Sequence, residues 1–151
     1  MTTTAELEEL TRTLIEAWNC SDWSTYRAAA GPAFVHKELT TGQCTDDVEE
    51  VVRRWQRFKA VFPDIAAEIV AIGQLGPCTV VGVIWRAVQS APTFDGTRIE
   101  PPTYKSITAR DVITMCWRDG RLESEQHQLG FLSLMAPLLD SAVPAEAVTE
   151  I

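Results

Sequence analysis

The feature that most constrains this chain is a change of texture at Pro63. Before it, apolar residues recur every three or four positions; after it, β-branched and aromatic residues run in extended segments divided by turns rich in Gly and Pro. Helices first and strands afterwards exclude alternating βαβ units. The expected architecture is α+β, with N-terminal helices packed on a curved, mainly antiparallel sheet that can enclose a pocket.

In the helical half, Thr3 and Glu6 predict a capping box, followed by the stripe Leu7, Leu10, Leu14 and Trp18. Asn19-Cys20-Ser21-Asp22 interrupts it, and Ser21 or Asp22 caps a second short helix running to about Ala30. Gly31-Pro32 should end that helix, and 33–39 predicts a short strand carrying His36. A third helix follows Thr45, with Asp46 and Asp47 in its first turn, the stripe Val48, Val51, Val52, Trp55, Phe58 and Phe62, and Pro63 as its stop. Trp18 and Trp55 read as core. Strands are expected over 65–75, 79–88, about 104–117 and 122–128, with turns at Gly76-Pro77, Asp95-Gly96, Pro101-Pro102 and Asp119-Gly120. A helix-like apolar segment over 130–139 and a tail over 141–151 complete one domain spanning 1–151, its core about 5–139.

Composition removes several functions. With 13 basic against 21 acidic side chains and a net charge of −8, no nucleic-acid partner is expected. The one basic cluster, Arg53, Arg54, Arg57 and Lys59, is spaced as the solvent face of a helix. No apolar run approaches the ~18 residues of a membrane span. The N-terminus lacks the basic start and apolar core of a signal peptide, so a cytoplasmic setting is expected, with Cys20, Cys44, Cys78 and Cys116 reduced. A zinc site would have to gather scattered ligands around two histidines, and none is expected. The glycine-rich nucleotide loops, His-Glu-x-x-His and Gly-x-Ser-x-Gly are all missing from the sequence.

Phe62-Pro63-Asp64-Ile65, Pro101-Pro102-Thr103 and Trp117-Arg118-Asp119-Gly120-Arg121-Leu122 occur in this order along the chain. In their order and approximate spacing the sequence resembles the SnoaL-like polyketide cyclases of the NTF2-like superfamily. The resemblance implies a cone-shaped fold and an intramolecular ring closure, most often an aldol condensation. The substrate would be a hydrophobic or aromatic polyketide-like molecule, with no metal or organic cofactor, and the chain would form a homodimer or higher homo-oligomer through its exposed sheet face. The family keeps its acid/base seven positions beyond the Gly of the Asp-Gly turn, which here is His127. The histidine that many members carry before Pro-Pro-Thr is absent from 89–100, and Tyr104 stands where the family usually has Gly.

Strand alternation puts His127 and Glu125 on one face, where imidazole can exchange a proton near neutral pH and the carboxylate can orient it or act itself. Asp111 shares parity with an otherwise apolar stripe, which favours an ion pair with Arg86 or Arg110 over catalysis. His36, on a strand expected to border the pocket, could bind a carbonyl or enolate oxygen. Trp85, Trp117, Phe94, Tyr104, Met115 and Phe131 are candidate pocket walls for an aromatic substrate. Residues 89–104 are expected to form a mobile loop over the mouth. Alternative functions are epoxide opening and non-catalytic binding of a small molecule.

Overall fold

A computed structural model describes residues 2–39, 41–94 and 96–128, so the expected segment over 130–139, the tail and Phe131 lie outside the described residues. The elements run α1 (Thr4–Asn19), α2 (Trp23–Ala29), β1 (Ala30–Glu38), β2 (Gln43–Thr45), α3 (Val48–Val61), β3 (Ala66–Leu75), β4 (Cys78–Val88), β5 (Thr93–Phe94), β6 (Ile99–Glu100), β7 (Ser106–Arg118) and β8 (Arg121–Gln128). The main sheet has the order β2-β1-β8-β7-β4-β3, and only β1 and β8 pair in parallel.

Local chemistry accounts for the helix boundaries. The Thr3 hydroxyl accepts from the Glu6 N–H at 3.2 Å while the Glu6 carboxylate accepts from the Thr3 N–H at 2.6 Å, closing the capping box of α1. Asp22 caps α2. Asp47 caps α3 instead of lying in its first turn, and Glu49 and Glu50 take those positions at the positive end of the helix dipole. Gly31-Pro32 does not break the chain into a loop. It lies within β1 where the register to β8 shifts between Ala30 and Val35, so the missing proline N–H interrupts no ladder bond. A side chain at Gly31 would meet the Leu122 carbonyl oxygen at 3.2 Å, so the two strands approach closely there.

Between β7 and β8, Asp119 and Gly120 both have positive φ (52° and 74°), as a two-residue hairpin matching strand twist requires. That turn fixes the register Ile113↔His127 and Met115↔Glu125. The predicted loop 89–104 instead contains the hairpin β5–β6, and buried Gln89 clasps its base: Thr103 Oγ1 donates to Gln89 Oε1 at 2.6 Å, and the Tyr104 N–H donates to the Gln89 carbonyl at 2.9 Å.

Two sequence expectations are corrected here. Cys78 and Cys116 are not reduced but joined in a disulfide, because β4 and β7 place them directly opposite one another, 4.0 Å apart at Cα; Cys20 and Cys44 are free and exposed. Lys59 is not a solvent-face residue. Its Nζ donates to the Trp18 carbonyl, to the Asn19 carbonyl at 3.1 Å and to Ser21 Oγ at 3.0 Å, capping the end of α1, and lies 4.3 Å from the Trp18 ring centroid.

The core lies between the helices and the inner sheet face. The α1 stripe (Leu7, Leu14, Trp18) and the α3 stripe (Val51, Val52, Trp55, Phe58) meet inward residues of β4 and β7 such as Val81, Val83, Trp85, Ile113 and Met115. Thr11 and Thr79 satisfy each other across this layer at 2.7 Å.

Candidate active site

Period-two alternation turns the odd-numbered residues of β7, and Glu125 and His127 of β8, toward the helices, and three of these inward residues are polar and buried: Asp111, Glu125 and His127. The parallel pairing of β1 with β8 sets His36 beside Glu125, and α2 drops Tyr26 onto the same spot from above. All five side chains are buried.

His127 is at the centre. Its Nδ1 bonds Asp111 Oδ2 at 2.6 Å and its Nε2 faces Glu125 Oε1 at 3.3 Å. The Tyr26 hydroxyl donates to Glu125 Oε2, and His36 Nε2 lies 3.7 Å from that same oxygen. Trp85 Nε1 donates to Asp111 Oδ2 at 3.2 Å. Both ring nitrogens of His36 are without hydrogen-bond partners.

These neighbours set the protonation states. Burial opposes a charged His127, but the hydrogen bonds to Asp111 and Glu125 and the charges of both override it and raise the imidazole to about 10. Burial likewise pushes Glu125 up; the hydrogen bond from His127, the pull of both histidines and the Tyr26 hydroxyl outweigh it and hold the carboxyl at about 2. His36 follows its burial, which lowers it to about 4 against the pull of Glu125. Tyr26 is raised well above its ordinary value by burial and then by Glu125. At neutral pH the site therefore holds an imidazolium between carboxyl groups, beside a neutral imidazole.

Above these groups lies a narrow cavity lined by Trp18, Tyr26, Trp55, Trp85, Met115 and His127 among others. It leaves about 10 Å³, room for about one water. The three tryptophans touch one another, with centroids 4.4 Å apart for Trp18–Trp55, 4.7 Å for Trp18–Trp85 and 5.6 Å for Trp55–Trp85.

Of the residues singled out from sequence, His127, Glu125, Asp111 and His36 come together, and Trp85 and Met115 stand in the cavity wall. Asp111 makes no ion pair with arginine: Arg86 and Arg110 have the opposite parity, and Arg86 pairs with Glu68 outside. Trp117 is buried in the core away from the cavity lining. Tyr104 is 68% exposed and stands on the surface at φ 56°. The Phe94 side chain lies outside the description. Trp18 and Trp55, read as core, also line the cavity. Tyr26 was missed; its one signal was a single tyrosine on a short capped helix, and nothing in the sequence tells which strand it meets.

Three helices on a strongly curved, mostly antiparallel sheet, with a polar cluster deep in the concave face, define a cone-shaped pocket protein of the NTF2-like kind. The SnoaL-like polyketide cyclase family model matches residues 8–138, and the chain belongs to that family. Among solved structures it is similar to AclR of Streptomyces galilaeus, a candidate hydroxylase (20% identity, TM-score 0.73, covering 94% of this chain and 100% of that one). It is also similar to IdmH of Streptomyces antibioticus, a candidate polyketide cyclase (26%, TM-score 0.69, 80% and 88%). A third is a candidate polyketide cyclase of Xanthomonas campestris (15%, TM-score 0.71, 89% and 97%). No curated protein matches the chain. No helix among the described residues is long and apolar enough to cross a membrane.

Proposed function

We propose that this protein closes a ring in a hydrophobic or aromatic polyketide-like intermediate by acid/base catalysis with its own side chains. The observation that carries the reading is His127, an imidazolium clamped between Asp111 and Glu125 at the bottom of the cone. The sequence suggests a general acid/base at this position; with its proton held to about pH 10, His127 serves as the donor. His36, neutral and with both ring nitrogens unpartnered, takes a proton from the carbon next to a substrate carbonyl. The enolate carbon then attacks a second carbonyl carbon of the same chain, and the oxygen formed there receives the His127 proton. Asp111 and Glu125 hold the His127 ring from its two nitrogens. A polyketide enters this cavity only if Trp18, Trp55 and Trp85 give way, and the folded conformation they then enforce supplies proximity.

Incubation with linear polyketide intermediates, followed by mass spectrometry, tests this. The expected product is isomeric with the substrate or lighter by one water, with turnover falling by about 10²–10⁴ in His127→Gln. Binding without product points to a carrier of small molecules. A second reading, epoxide opening by water, has in its favour the room for one water beside His127 and Glu125; a product heavier by one water identifies it. The reading includes a homodimer through the outer sheet face, where Val70 and Val112 are exposed, and light scattering checks it.

A further inference from the structure

We infer that His36, Glu125 and His127 also form a binding site for one divalent transition-metal ion of the zinc type, and that the ion inhibits the enzyme. The first observation is spacing. One ligand atom from each residue lies within 4.8 Å of the others, with His127 Nε2 to Glu125 Oε1 at 3.3 Å and His36 Nε2 to Glu125 Oε2 at 3.7 Å. Ligands about 2.0–2.2 Å from a tetrahedral ion sit ~3.4 Å apart, so these atoms need only small adjustments to close around one.

The second observation is His36 itself, 2% exposed with neither ring nitrogen bonded. A buried polar ring without a partner is costly, and a metal at Nε2 removes that cost. The third is the surrounding shell. The far nitrogen of His127 bonds Asp111 at 2.6 Å, which leaves Nε2 pointing into the cluster, the carboxylate–histidine arrangement that orients metal-binding imidazoles. Trp85 in turn holds Asp111, and Tyr26 holds Glu125. Two imidazoles and one carboxylate favour zinc, cobalt or nickel over magnesium or calcium, and leave a fourth position open toward the cavity.

When the ion binds, its bond to His127 Nε2 replaces the N–H bond there, and that proton passes to solvent. The His36 lone pair is taken up as well, so the proton donor and acceptor of ring closure are both occupied. This inhibitory consequence rests on the reading above; the binding does not.

The test is equilibrium dialysis and visible absorption with Co²⁺, without substrate, on the full chain carrying C20S and C44S so that exposed thiols cannot hold the ion. The expected result is one Co²⁺ per chain with the intense absorption of a four-coordinate site, unaffected by excess Mg²⁺. His36→Ala, and His36→Gln should the alanine variant unfold, abolishes it. Asp111→Asn, which removes only an outer partner, weakens it about 10–100-fold. Absence of stoichiometric Co²⁺, or binding that survives loss of His36, overturns the inference. Because no substrate is present, failure here leaves the cyclase reading standing, and failure to form cyclised product leaves the metal site standing.

Discussion

Replacing His127 by Gln removes the charge that reconciles Asp111 and Glu125 to burial while keeping much of the side-chain volume. His127 is 1% exposed, and the two carboxyl groups bonded to it at 2.6 and 3.3 Å are buried with it. Breaking a buried ion pair by deleting one partner costs about 3–5 kcal/mol, because the remaining charge is left uncompensated. For a chain of 151 residues each kcal/mol moves Tm by about 2–4 °C, so His127→Gln should melt about 6–20 °C below the parent. The cost belongs to the uncompensated carboxylates, so neutralising Asp111 as well should return part of it. His127→Gln/Asp111→Asn should be less destabilised than the sum of the single variants by about 0.5–3 kcal/mol. Thermal melts and urea titrations at pH 7 on the four proteins of this cycle supply the numbers. A His127→Gln variant melting within about 2 °C of the parent, or single effects that add within about 0.5 kcal/mol, would refute the clamped imidazolium. The cycle also governs any kinetic test: turnover of His127 variants has to be referred to the folded fraction.

The Cys78–Cys116 disulfide closes a separation of 38 residues, for which loop-closure entropy gives about 2–4 kcal/mol; reduction should lower Tm by about 4–16 °C, and the native chain should titrate two of its four thiols. Lys59→Met deletes the cap on the last carbonyls of α1 and should cost about 1.5–3 kcal/mol in urea unfolding, whereas Arg53→Met, on an exposed pair with Asp47, should cost under about 1 kcal/mol. Tyr26→Phe keeps the ring packed and removes only the hydroxyl on Glu125; it should lower turnover with little change in KM, and a raised KM at unchanged turnover would assign Tyr26 to substrate contact instead.

The helices were legible because each carries its own cap and its own stripe: Thr3–Glu6 with Leu7, Leu14 and Trp18, or Val51, Val52, Trp55 and Phe58 ahead of Pro63. The long strands were legible within one or two residues because Gly- and Pro-containing turns divide them. Strand neighbours were not. A period of two tells which face a residue takes and nothing about which strand lies beside it. The parallel pairing of β1 with β8, the three-residue β2 and the Cys78–Cys116 bridge all come from contacts between segments distant in sequence. The hairpin within 89–104 was hidden for another reason, since its two-residue strands are too short to show any period.

The same distinction separates what could be read of the site. Parity alone put Glu125 with His127, and the presence of Asp111 on an apolar stripe already demanded a buried partner. Parity also excluded the arginines offered for that role: Arg110 is adjacent to Asp111 on β7, so the two point to opposite faces, and Arg86 alternates with inward-facing Trp85 on β4. The partner had to come from an inward position of a neighbouring strand, and the Asp119-Gly120 hairpin makes β8 that neighbour. Register Ile113↔His127 then brings His127 within one diagonal step of Asp111. His36 and Tyr26 had no such route, because one reaches the cluster through the β1–β8 pairing and the other through the packing of α2. The half of the cluster joined by a two-residue turn is encoded locally. The half that sets His36 and Tyr26 against Glu125 exists only once the cone has closed.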